Sequence, residues 1–175
     1  VTNDTGHAFP TGVSPRNALL VIEATWHGQP LQQTSGLTVP FWGSDEVPGT
    51  QDGDYAGRPG SGFARVLEGR INDQGPVERP VLFIDGEAVV EDTLIPSGGT
   101  DVTEVVLAVP AAAQSGDEVV VEARLLYRRA WRALAVTKGW QTTPQGGPIE
   151  IEVARTVDTL TLTQGGGGVP IPALS

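Results

Sequence analysis

The chain has 175 residues, with 21 acidic side chains against 11 basic ones, a formal charge of −10 and no cysteine. That length suits one domain with its own core, and the negative charge disfavours a sequence-independent grip on phosphate backbones, so nucleic acid is not an expected partner. The lack of cysteine removes disulfides, thiolate metal sites, a cysteine nucleophile and any Cys-x-x-Cys-His haem attachment within these residues.

The first stretch, VTNDTGHAFPTG over residues 1–12, starts like the end of a strand and runs into a Gly-His and a Phe-Pro-Thr-Gly turn. Gly6 takes away a side chain where a large planar ligand would approach the backbone, and Pro10 restricts Phe9 to extended geometry, so the loop is expected to be stiff. A stiff loop presents His7 at a fixed angle. Neutral imidazole is the commonest metal ligand, best when its second ring nitrogen is held by a carbonyl or carboxylate. One histidine does not make a four-coordinate zinc site, whereas haem iron asks for only one or two axial residues. The plainer alternative is that His7 hydrogen-bonds only its own turn. His27, beside Gly28 at a strand end, reads as structural.

Asn17 to Trp26, rich in branched residues and partly alternating, predicts a strand closed by the turn HGQP. Residues 36–62 carry seven Gly, three Pro and four acidic residues without sustained periodicity, which predicts a long surface excursion pinned by Phe41, Trp42 and Tyr55. Further strands are predicted over Phe63–Ile71, Val81–Ile84 and Glu87–Val90, the last two flanking an Asp85-Gly86 hairpin signal. Val102–Val109, Glu118–Tyr127 and Ile149–Leu162 complete the set. Between the last two, Arg128–Lys138 has Trp131, Leu134 and Ala135 at helical spacing and predicts one short helix. The sum is an all-β, immunoglobulin-like β-sandwich over 1–163 with a long Gly/Pro-rich loop, followed by a Gly/Pro-rich tail over 164–175.

Few residue patterns point to catalysis. Ser61 lies in GRPGSGF, a turn with no Gly-x-Ser-x-Gly elbow between strand and helix, and nothing in the sequence sets two carboxylates at glycosidase separation. Asp52 and Asp54 in QDGDYAG supply hard oxygens around a glycine, but their spacing departs from the calcium-loop pattern and suits an Asx turn as well. Trp42 and Tyr55 offer sugar-stacking surfaces, with packing under the long loop as the alternative. No apolar run approaches the roughly 18 residues that span a bilayer, and no signal peptide is visible.

Three elements in order, Asn3 to Gly12, Asp92 to Gly98 (DTLIPSG) and Leu125 to Arg128 (LLYR), resemble the C-terminal β-sandwich domain of multihaem c-type cytochromes. The likeness runs through nearly the whole chain, and the ordered set is more specific than any member. It implies a non-catalytic sandwich outside the cytoplasm, extracellular or periplasmic, with His7 an axial ligand to a haem c carried by an adjoining upstream domain or a partner chain. It also implies a role in electron transfer, in a homo-polymer or filament. The pattern departs in one respect, because no Cys-x-x-Cys-His is present, and the strand-like start at Val1 reads as the junction with a haem domain. The rival expectation is an adhesion or carbohydrate-binding sandwich without haem.

Overall fold

The computed structural model describes residues 1–43 and 54–163; the tail over 164–175 and Asp52 lie outside them. The fold is all-β, with two antiparallel sheets in a sandwich-like arrangement, as the sequence predicts. The large sheet runs in the order β5 (Ala88–Asp92), β4 (Gly60–Glu68), β1 (Asn17–Trp26), β7 (Glu118–Arg128), β8 (Glu150–Thr161), with the short β2 (Gln29–Pro30) also paired to β1. The small sheet pairs β3 (Gln32–Gly36) with β6 (Val105–Ala108). One helical turn and a half, α1 (Arg132–Thr137), follows β7.

β1 is the centre of the molecule because its apolar run is continuous rather than strictly alternating, the signature of a strand covered on both sides. Ala18, Leu20, Ile22 and Ala24 face one core with Phe63, Ile95 and the odd-numbered residues of β7 from Val119 to Leu125, against which Val105 and Leu107 of β6 pack. Leu19 and Val21 face a second core with Val39, Trp42, Ala64, Val66, Leu126 and Trp131. Each fully buried Leu or Val in these layers contributes about 1.5–3 kcal/mol. The second core corrects the expectation of a surface excursion: the described part of that segment covers a sheet face, with Val39 and Trp42 buried and Phe41 exposed. Gly62 makes the room, since a Cβ there would sit 2.8 Å from the Pro40 ring and collide with the Trp42 indole.

β1 turns into β2 through His27 and Gly28 at φ +49° and +77°, a two-residue turn of the primed type that matches strand twist. The predicted Asp85-Gly86 hairpin does not form. Val81 is buried and its N–H reaches the Leu67 carbonyl, but Asp85 N–H bonds back to Leu82, so the apolar run turns on itself and leaves Phe83 and Ile84 exposed. The helix begins at Arg132, because Arg128 ends β7 in full register with Glu150 and Asn17.

The pairings set β1 and β8 to begin, and β4 and β7 to end, at the same end of the sandwich. The segments over 10–16, 69–87 and 129–149 connect the strands there.

Candidate functional site: the His7 loop

Residues 1–9 lie antiparallel to residues 95–101, with bridges Thr2 to Thr100 and Phe9 to Ile95. Phe9 and Ile95 exchange both backbone hydrogen bonds at 2.8 Å, and Asn3 N–H donates to Gly99 at 2.9 Å. The Phe9–Pro10 peptide is cis. Phe9 also meets Tyr127 of β7 with ring centroids 6.5 Å apart. The three elements singled out in the sequence therefore meet at one place.

Asn3 is the anchor. Its side chain is buried, and Nδ2 donates towards the carbonyls of His7 at 2.7 Å, Ile95 at 2.9 Å and Pro96 at 3.2 Å. Its Oδ1 accepts from Thr5 N–H at 3.1 Å and lies 2.7 Å from Thr5 Oγ1. Across the pairing, Ser97 Oγ donates to the Thr5 carbonyl at 2.6 Å. The loop over 4–8 is thus closed at both ends by side chains rather than by a ladder, which satisfies its backbone groups while it bulges from the sheet.

His7 sits exposed on this bulge. Its Nδ1 lies 3.1 Å from the Ala8 carbonyl and 3.3 Å from Thr5 Oγ1. A carbonyl only accepts, so Nδ1 carries the proton and neutral His7 keeps its lone pair on Nε2. Nε2 makes no hydrogen bond among the described residues. Gly6 beside it shows no need for glycine in the chain's own packing: a Cβ there meets nothing within 4 Å. The contacts of Nδ1 thus stay within the histidine's own turn, and the second nitrogen of such an imidazole is left to accept a hydrogen bond or to ligate a metal.

The remaining candidates are placed elsewhere. His27 stacks on Trp26, with centroids 4.3 Å apart and planes 13° off parallel, at the far end of β1. Asp54 pairs with Arg132 at 3.4 Å, and its proposed calcium partner Asp52 is outside the described residues. Trp42 is 3% exposed and packs edge-on to Trp131 at 5.4 Å, so it offers no face to a sugar; Tyr55 is covered by the guanidinium groups of Arg58, Arg124 and Arg128. Among the described residues no three His, Cys, Asp or Glu side chains are grouped to hold a metal ion, and no helix is long and apolar enough to cross a membrane.

His7, Gly6 and Pro10 stand out in the sequence with a role, whereas Asn3 and Ser97 enter it only as members of the elements Asn3 to Gly12 and Asp92 to Gly98, and Thr5 carries no role there. The Asn-x-Thr spacing carried a local signal, since an Asn side chain commonly accepts from the N–H two residues on. Ser97, 92 positions from its partner, carried none. A scan of family models gives no match to this chain, and searches of curated proteins and of solved structures give none either.

Proposed function

We propose that this chain is a non-catalytic sandwich that belongs to, or binds, a multihaem c-type cytochrome outside the cytoplasm, and that His7 Nε2 is an axial ligand to a haem carried on that other part. The observation that carries the reading is the hydrogen-bonding of Nδ1, which leaves Nε2 bare on a loop pinned by Asn3 and Ser97. The meeting of the Asn3–Gly12, Asp92–Gly98 and Leu125–Arg128 elements at that loop supports it further, since these are the elements that carry the resemblance.

Haem, when bound by its own polypeptide, supplies the redox couple. The residues here do the rest: Thr5 and the Ala8 carbonyl hold the proton on Nδ1, Gly6 leaves clearance for a flat ring edge, and the 1–9/95–101 pairing keeps the imidazole from swinging. Axial identity and burial set a haem's reduction potential, so a lid of this kind tunes electron transfer and limits which partners reach the haem edge.

The test is a titration with a c-type haem undecapeptide whose sixth axial position is vacant. The chain should convert its spectrum from high-spin to low-spin, and His7→Ala should leave it high-spin while folding normally. A low-spin conversion that survives His7→Ala would contradict the assignment.

A further inference from the structure

At the strand-connecting end of the sandwich, a cleft of about 490 Å³ opens between α1 and the start of β8, within the roughly 300–1,000 Å³ of small-ligand sites. Its walls include Trp140, Gln141, Pro148, Arg128, Arg132 and Glu150. Trp140 is 47% exposed although large indoles usually find cover.

Its backbone is fixed all the same. Gly139 takes φ +65°, Gly139 N–H donates to Val136 at 3.0 Å and Trp140 N–H donates to Ala135 at 2.8 Å, the paired bonds of a left-handed helix C-cap. The residue after such a cap frequently packs its side chain back on the helix, but here the indole stays 47% exposed beside the cleft. In the segment between Gln141 and Pro148, Thr142 bridges Pro148, and Thr143 and Gly147 are joined by backbone and hydroxyl bonds. The cleft is therefore framed by two closed turns.

The chemistry of the lining decides what fits. Arg128 Nε bonds Glu150 Oε2 at 2.6 Å, and Arg132 Nε lies 3.4 Å from Asp54 Oδ1, so each arginine of the wall has a carboxylate partner. Gln141 is exposed and its amide makes no hydrogen bond among the described residues, offering a donor and an acceptor. An open indole face attracts C–H groups, whose positive edges meet the negative π-face. We propose that this cleft binds a neutral carbohydrate, a β-linked pyranose with equatorial hydroxyls, whose flat C–H face stacks on Trp140 while its hydroxyls bond Gln141 and the Glu150 carboxylate. The site is separate from His7 and stands without the haem reading.

Cellohexaose and chitohexaose serve as probes, titrated into the full chain and followed by calorimetry and tryptophan fluorescence. At least one should give saturable binding, weakened by about tenfold or more in Trp140→Ala and more mildly in Gln141→Ala, with His7→Ala binding as the wild type does. Saturable binding to neither sugar, or binding undiminished in both the Trp140 and Gln141 variants, would overturn the proposal.

Discussion

Asn3 concentrates more long-range bonding than any other side chain of the His7 loop. Asn3→Ala strips the donor from the carbonyls of His7, Ile95 and Pro96 and leaves buried acceptors unmet, which should cost about 2–4 kcal/mol; urea unfolding of the two proteins measures it. Asp117 provides a second residue-scale expectation. The Gln114 N–H, then the Trp26 indole N–H, both bonded to its Oδ2 at 3.0 Å, hold its carboxyl below the usual range. A folded-state value below the unfolded one means that this bond set stabilises the fold above the unfolded pKa, and that the contribution is lost as pH falls through the folded value. Carboxyl NMR titration should place Asp117 below an ordinary aspartate, and Trp26→Phe should move it upward. An unchanged midpoint in that variant would remove the indole from the explanation.

At the scale of elements, the segment after β3 holds its place through Trp42. The indole packs edge-on to Trp131 and donates to Glu91 Oε2 at 3.3 Å, and Val39 N–H bonds Arg58 at 2.9 Å beside it. Trp42→Ala should cost about 3–5 kcal/mol and speed hydrogen exchange of the Val39 amide before that of β1. Equal acceleration in both would mean that the segment and the sheet open together. The elements that were legible in sequence are those whose pattern reports burial. β1 matched to the residue because turn signals bound its branched run, and β7 matched to within one residue, running on to Arg128, because its odd positions from Val119 to Leu125 are all buried. β2 and β3 were missed for the converse reason: QP and QQTSG are exposed or half-exposed along their length, and an exposed strand imposes no alternation on its sequence. Val81–Ile84 misled because four apolar residues read as a strand, while the bond from Asp85 N–H to Leu82 closes them into a turn.

At the scale of the whole molecule, one central sheet serves two cores, and its two coverings differ in kind. Strands β3 and β6 cover one face; the segment around Val39 and Trp42 and the helix behind Trp131 cover the other. Composition predicted the all-β class through its turn-forming residues, but a second covering made of loop leaves no periodic trace and was not legible. The His7 loop was half legible. The histidine and its glycine stood out locally, whereas the partner run 95–101 lies about ninety residues away and is joined only by the fold. That pairing turns an unremarkable exposed imidazole into one with a fixed proton and a bare nitrogen.

The most direct test of the haem assignment is the visible spectrum of the protein purified natively with whatever accompanies it, compared with its His7→Ala form. Ligation by His7 predicts a low-spin c-type haem in a co-purifying or continuous polypeptide, with one haem turning high-spin in the variant. Colourless material, or a haem spectrum identical in both proteins, would contradict it.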